Sequence, residues 1–175
     1  MISSYYIDGY NVIYHSSILK PLALENFEAA RDALIEKVAR FCAATGHHAK
    51  IIFDGRGRRS QPLVPIEGAP GLEVMYSHGK QSADAFIERT VYAAPNPREI
   101  VVVSGDRGIR DLCRNLNALV IEPDNFLALI RETDGDTRAT LQRIQRNDTL
   151  QRIENRLDDT AIERLLKHKQ ELEKK

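Results

Sequence analysis

Four aspartates each follow a segment that is predicted to be a β-strand: Asp8, Asp54, Asp84 and Asp106. In a parallel sheet the carboxyl ends of the strands lie at one edge, and ligands bind in the crevice outside that edge. We therefore expect the four carboxylates to converge from distant parts of the sequence. Any one of them is at least as well explained as a turn or helix-cap residue, but four together indicate a site.

A cluster of carboxylates has a definite chemistry. Like charges a few ångströms apart repel and raise one another's pKa unless something positive compensates them. The motifs offer no lysine or arginine at a fixed pairing distance, so a divalent cation is the expected partner. Oxygen ligands favour Mg²⁺ or Mn²⁺, and such ions activate water and hold phosphate oxygens in phosphodiester hydrolysis.

Glu88 lies one helical turn after Asp84, which places both side chains on one face of a predicted helix. Two interpretations stay open for Glu88. It is either a ligand or supporting base of the site, or an exposed helix glutamate paired with a nearby arginine.

Basic residues accompany the acidic positions and are expected to hold a phosphate backbone. Each one alone is equally explained as a solvated surface charge. Nucleotide-binding glycine fingerprints and the GxSxG nucleophile motif do not occur in the sequence. The candidates are Arg56, Arg58 and Arg59 after Asp54, His78 and Lys80 before Asp84, and Arg107 and Arg110 after Asp106.

Strands that alternate with helices must position these residues. This alternation predicts a three-layer α/β/α sandwich with a central parallel sheet, and the β-branched run at 99–104 is typical of a central strand covered on both faces. A glycine- and proline-rich long loop is predicted over 55–71. The predicted strands are 4–8, 49–53, 72–76, 99–104 and 118–121, and the predicted helices are 25–44, 82 to about 93, 107–116 and 123–131.

The chain is expected to form one domain over 1–131 and a helical C-terminal extension over 132–175. Ten acidic and ten basic residues share the extension, and Leu150, Ile153 and Leu157 begin an apolar series at helical spacing. Balanced charge favours a helix that docks on the domain or on a second copy, giving a possible homodimer, over an RNA-gripping arm.

Composition sets further limits. The 175 residues include 25 Lys plus Arg and 25 Asp plus Glu, so any site for a polyanion must be local. We expect no targeting leader and no membrane-spanning segment, and hence a cytoplasmic protein. Cys42 and Cys113 lack CxxC spacing and are expected to be small buried hydrophobes.

Four motifs in order carry a family resemblance: IDGYNVI at 7–13, IFDG at 52–55, VMYSHGKQSADAFIER at 74–89 and VVSGDRGI at 102–109. Together they resemble the NYN domain of the YacP-like family, a branch of the PIN and FLAP nuclease superfamily, over about residues 1–131. The resemblance implies a PIN-like fold and a metal-dependent endoribonuclease. It also supplies RNA as the substrate class, which spacing alone does not.

The resemblance assigns roles to residues of this sequence. Asp8, Asp54, Asp84 and Asp106 match the acidic positions, with Asp8, Asp84 and Asp106 as the principal metal ligands and Asp54 completing the cluster. Asn11 matches the polar position after the first aspartate and is expected to orient Asp8 or a phosphate.

Glycines enter the same motifs. Gly9 is expected to let the backbone turn without crowding a metal. SGDRG at 104–108 has a glycine where relatives usually carry serine or another small residue, a departure expected to be harmless.

Two other functions stay open. One is a non-catalytic RNA-binding or ribosome-associated module that uses the acidic pocket only structurally. The other is a metal-dependent phosphatase on a similar sheet, although Tyr10 stands where aspartyl-phosphate chemistry would want a second aspartate after Asp8.

Overall fold

The structure is a computed structural model that describes residues 4–54, 61–65, 68–77 and 82–136. Within these residues one six-stranded sheet has the order β3-β4-β2-β1-β5-β6. Five of its strands are mutually parallel, and β3 pairs antiparallel with β4 at one edge. The strands are β1 (Ser4–Asp8), β2 (His48–Asp54), β3 (Gln61–Pro65), β4 (Leu72–Ser77), β5 (Ile100–Val103) and β6 (Leu119–Ile121).

Helices connect the strands. The prediction of a helix closed by Gly46 is confirmed, because Gly46 caps α3 in the left-handed conformation with φ 72°. Ser82 caps α4, also as predicted, and its side chain accepts a hydrogen bond from the Ala85 amide. The helices are α1 (Gly9–His15), α2 (Leu19–Glu25), α3 (Phe27–Thr45), α4 (Ala83–Ala93), α5 (Arg107–Asn115) and α6 over residues 123–136.

Three elements were not predicted. The helices α1 and α2 are only seven residues long each, and a pattern so short does not show helical periodicity clearly. The strand β3 lies inside the segment predicted as a long loop. Its two prolines are compatible with the edge of the sheet, where a missing N–H need not break a ladder.

Side chains alternate across the sheet into two hydrophobic cores. Ile7 and Val103 face a core shared with α1, α2, α3 and α6. Ile52 and Val102 face a second core, shared with α4 and α5. Helices therefore cover both faces, which confirms the three-layer α/β/α prediction and explains why the central strands are apolar throughout.

The chain divides into two compact units, residues 1–134 and 135–175. The predicted boundary after residue 131 stays a prediction, and the predicted helix of the extension lies outside the described residues. Among the described helices, none combines the length and the apolar character that crossing a membrane requires.

Cys42 and Cys113 are buried free thiols, one in each core. Burial raises the pKa of each to about 11, with the charge of Glu88 adding to the effect at Cys113. Both therefore stay protonated at neutral pH and pack as small hydrophobes, as predicted.

Candidate functional site

The candidate site lies at the carboxyl edge of the sheet, around its central strand β1. The chain runs outward from β1 through β2 to β4 on one side, then continues through β5 to β6 on the other. Such a reversal leaves a crevice at the strand ends, where ligands bind in open α/β sheets. Asp8 and Asp54 end β1 and β2, Asp106 follows β5, and Asp84 is in the first turn of α4.

Three of the four carboxylates are held by the beginning of a helix. Asp8 Oδ1 accepts a hydrogen bond from the backbone N–H of Asn11 at 3.0 Å and caps α1. Asp106 Oδ1 accepts one from the backbone N–H of Ile109 at 3.1 Å and caps α5. Asp54 Oδ1 accepts from the amide of Ala83, the first residue of α4, at 2.6 Å. The partial positive charge of a helix N-terminus stabilises a nearby carboxylate. The same aspartates therefore hold the starts of helices and belong to the group of acidic residues, two roles that the sequence presented as alternatives.

Asp54 has a second partner, which fixes the end of β2 to the end of β4. The Ser77 hydroxyl donates to Asp54 Oδ1 at 3.0 Å. Because the same oxygen holds Ala83, Asp54 positions the residue immediately before Asp84. Among the described residues, hydrogen bonds to Asp8, Asp54 and Asp106 involve only Oδ1.

The four carboxylates interact electrostatically. Burial raises the pKa of Asp8 to about 6; the Asn11 amide opposes that shift, while the charges of Asp84, Asp54 and Asp106 add to it. The pKa of Asp84 is raised as well, first by burial and then by the charges of Asp106, Asp54 and Glu88. The predicted convergence of the acidic positions is what these mutual effects require.

The donor set suits a hard divalent cation. Among the described residues, Asp84 Oδ1 is buried without a hydrogen-bond partner, and the charges that act on the pKa of Asp84 are all negative. Carboxylate oxygens are the ligands that Mg²⁺ and Mn²⁺ prefer. However, within the described ranges no group of three or more His, Cys, Asp or Glu side chains is arranged to hold a metal ion, so the ligand set stays a prediction.

Asn11 joins two of the acidic loops. Its backbone N–H holds Asp8, and its side-chain oxygen accepts a hydrogen bond from the Gly105 amide at 2.6 Å. The residue therefore fixes the loop that carries Asp106 relative to the end of β1. The bond to Asp8 comes from the backbone N–H of Asn11 and not from its side chain, so the predicted role of Asn11 in orienting Asp8 or a phosphate stays a prediction.

His15 was missed by the sequence analysis. Its ring nitrogen Nδ1 lies 2.9 Å from the Asn11 carbonyl oxygen. A Cβ on Gly105 would lie 2.9 Å from His15 Nε2 and 2.8 Å from Asn11 Oδ1. The glycine in SGDRG thus admits both side chains beside the acidic loop. The i+7 spacing from Asp8 could have pointed to His15 only if α1 had been predicted.

The structure gives Gly9 a packing role that the sequence did not reveal. Gly9 is buried as the first residue of α1, and a Cβ there would lie 2.3 Å from the Phe53 ring. Its φ is not among the positive values in the chain. Close packing of α1 against β2 therefore requires the glycine, whereas its predicted role in leaving room for a metal stays a prediction.

The other predicted residues are less closely gathered. Glu88 is half-buried and its charge raises the pKa of Asp84, so it lies near the cluster. Arg107 is exposed at the start of α5, whereas Arg110 forms an ion pair with Glu122, just before α6. Four predicted RNA-binding residues, with His78, lie outside the described residues: Arg56, Arg58, Arg59 and Lys80.

Comparison with known proteins identifies the family. The family model of the YacP-like NYN domain matches residues 5–170. The chain belongs to the YacP-like NYN domain family. The match continues well past residue 131, where the resemblance in the sequence was expected to end. Membership in this family, within the PIN-like nuclease superfamily, is consistent with a nuclease.

Individual relatives agree with this assignment. The chain is 33% identical over 90 residues to a Bacillus subtilis (strain 168) protein named "Uncharacterized protein YacP". That alignment covers 51% of this chain and 52% of the relative, which is about half of each.

Two solved structures share the fold of this chain. The crystal structure of Rae1 (YacP) from Bacillus subtilis superposes with a TM-score of 0.70 at 24% identity, covering 99% of this chain and 95% of that one. A tryptophan-to-leucine mutant of Rae1 gives a TM-score of 0.67 at 24% identity, covering 82% and 83% of the two chains.

Proposed function

We propose that this protein is a Mg²⁺- or Mn²⁺-dependent endoribonuclease that hydrolyses phosphodiester bonds in RNA. The observation that carries the proposal is the acidic cluster, defined as Asp8, Asp54, Asp84 and Asp106, which lies at the carboxyl edge of the sheet and whose charges raise the pKa of Asp8 and Asp84. Family membership supports nuclease chemistry and RNA as the substrate class.

Each acidic residue has a distinct role in the proposal. Asp8, Asp84 and Asp106 hold the cation, and the unpartnered Asp84 Oδ1 is the atom with most to gain from it. The cation supplies charge stabilisation and an activated water when it is bound. Asp54 holds the start of α4 through Ala83, and so orients Asp84.

Neighbouring groups support the acidic cluster. Asn11 ties the Asp106 loop to α1 through the Gly105 amide, which keeps two proposed ligands in a fixed relation. Glu88 adds negative charge beside Asp84 and is the proposed supporting residue. Arg107, exposed next to Asp106, is the described arginine best placed to meet a phosphate group of the RNA.

The test is cleavage of an unstructured RNA by the purified full chain, with and without Mn²⁺. Asp8→Asn and Asp106→Asn are each expected to reduce the rate at least a hundredfold, as chelation of the metal should. Asp111→Asn is the matched control, because Asp111 lies on α5 but its side chain is 74% exposed and forms an ion pair with Arg114. Circular dichroism must show that every variant is folded.

The outcomes separate the open alternatives. Cleavage that persists with chelator, or in both site variants, would contradict the proposal. RNA binding without product, independent of metal, would instead identify a non-catalytic RNA-binding module. Hydrolysis of small phosphate monoesters without RNA cleavage would identify a phosphatase.

A further inference from the structure

A series of packed aromatic rings includes close chain neighbours of two acidic residues, Tyr10 after Asp8 and Phe53 before Asp54. The rings of Tyr10 and Phe27 have centroids 5.1 Å apart, and those of Tyr10 and Phe53 are 5.2 Å apart. Phe53 and Tyr76 stack at 5.5 Å with an interplanar angle of 23°. Tyr14 extends the series from Phe27 at 6.3 Å. We call these five residues the aromatic cluster.

A buried arginine supports the aromatic cluster from α3. Arg31 is only 7% exposed, and its guanidinium carbon lies 5.9 Å from the Phe27 ring centre and 5.6 Å from that of Tyr76. It pairs with Glu28 at 3.1 Å, while its Nε is buried with no hydrogen-bond partner among the described residues. A cation held between rings makes favourable cation–π contacts, so the rings are fixed in place.

The aromatic cluster is continuous with the proposed active site. Tyr10 is two residues after Asp8, and its ring packs 5.2 Å from the ring of Phe53, the residue directly before Asp54 in β2. Tyr14 is one helical turn further along α1, and 53% of its surface is exposed. The rings therefore lead from the acidic cluster to solvent.

We propose that Tyr14, supported by Phe27 and Tyr10, is a stacking subsite for an unpaired nucleobase of the RNA close to the cleaved phosphate. The inference rests on the proposed function for its substrate. A base presents a flat π-face whatever its identity, and aromatic side chains bind single strands by stacking on it. Bases within a duplex are already stacked on each other and cannot reach such a ring, so the subsite selects unpaired RNA.

An exposed tyrosine alone would not support this inference. Tyr92 on α4 is 80% exposed, and its ring packs against no other aromatic ring in the described part of the chain; single exposed apolar residues of this kind are common. Tyr14 differs because it is the exposed end of a packed series that reaches the acidic residues. Tyr92 therefore serves as the matched control.

The experiment measures binding without cleavage. The full chain carrying Asp8→Asn is titrated into a fluorescent, unstructured RNA of about twelve nucleotides, and the dissociation constant is read from anisotropy. Adding Tyr14→Ala is expected to weaken binding about fivefold or more, the range found when one stacked base is lost. Tyr14→Phe, which keeps the ring, and Tyr92→Ala are expected to change it less than about twofold.

RNA variants test stacking directly. A set of RNAs is prepared, each with one abasic nucleotide at a different position. At one position the Asp8→Asn protein should lose about as much affinity as Tyr14→Ala causes with the intact RNA. Adding Tyr14→Ala should then weaken binding to that abasic RNA little further. Binding to a duplex of the same length should not depend on Tyr14.

Two results would overturn the subsite. Tyr14→Ala could bind unpaired RNA as tightly as its parent does, or Tyr14→Phe could lose as much affinity as Tyr14→Ala, which would assign the effect to the hydroxyl. These results are separate from the proposed function, because RNA cleavage by the unsubstituted chain is measured independently. A chain that cleaves RNA but is indifferent to Tyr14 keeps the function and loses the subsite.

Discussion

The Asp8 carboxylate is charged at neutral pH at the expense of fold stability. Its pKa rises from 3.8 to about 6, so the folded state binds the proton more tightly than the unfolded state does. Stability from Asp8 is therefore fully retained below about pH 4 and falls as the pH rises through 6. The difference between the two pKa values limits this loss of unfolding free energy to about 3 kcal/mol.

Asp8→Asn is accordingly expected to stabilise the metal-free protein. Asparagine keeps a side-chain oxygen that can cap α1 and removes the buried charge. Chemical denaturation in chelator should show a more stable variant at pH 7.5 and a difference near zero at pH 4. A variant less stable than its parent at pH 7.5, with Asp111→Asn unchanged, would contradict the assignment.

Asn11 offers a test of positioning against substrate contact. Asn11→Ala leaves the Gly105 N–H without its partner, which should cost about 1–3 kcal/mol of unfolding free energy. If Asn11 only positions the Asp106 loop, kcat for RNA cleavage should fall while KM changes little. A rise in KM with unchanged kcat would instead support the phosphate contact expected from the sequence.

At the scale of elements, the junction of β1 and α1 depends on the absence of a side chain at Gly9. Gly9→Ala would place a methyl group 2.3 Å from the Phe53 ring, and overpacking of this kind typically costs about 1–3 kcal/mol. Urea denaturation should show the loss. In a Phe53→Leu background the cost of Gly9→Ala should shrink, and an unchanged cost would mean that another contact is responsible.

At the scale of the whole molecule, the proposed function predicts that a bound cation would offset the repulsion among the carboxylates of the acidic cluster. Mg²⁺ or Mn²⁺ at a hundred times its dissociation constant should stabilise the fold by about 2.7 kcal/mol. Thermal unfolding at pH 8 should therefore shift upward with metal, and the shift should shrink at pH 5, where protons compete at Asp8. Asp84→Asn should reduce it, whereas an equal shift in this variant would exclude Asp84 as a ligand.

Much of the architecture could be predicted because it follows from local patterns. The β-branched run that forms β5 and the apolar run that forms β2 have the composition of strands buried on both faces. Ser82 and Gly46 mark helix ends by their own conformational preferences. The placement of Asp8, Asp54 and Asp106 at strand ends then follows from parallel topology.

Other parts could not be predicted because they depend on partners far away in the chain. The short helices α1 and α2 depend on tertiary packing, α1 against the sheet and α2 against α1 and α3, more than on a helical pattern of their own. β3 forms because β4 provides an edge for it to pair with. The contacts of His15 and Arg31 become visible only when the positions of α1 and α3 in the fold are known.

The sequence by itself determined that four acidic residues end or follow strands of a parallel sheet, because strand patterns and turn residues are read over a few positions. Only the tertiary structure decided how those acids are held. The bond from Gly105 to Asn11 spans 94 positions, and that from Ala83 to Asp54 spans 29. Contacts at such separations arise from packing of complete elements, so Asn11 became a link between two acidic loops and Gly9 a packing requirement of Phe53.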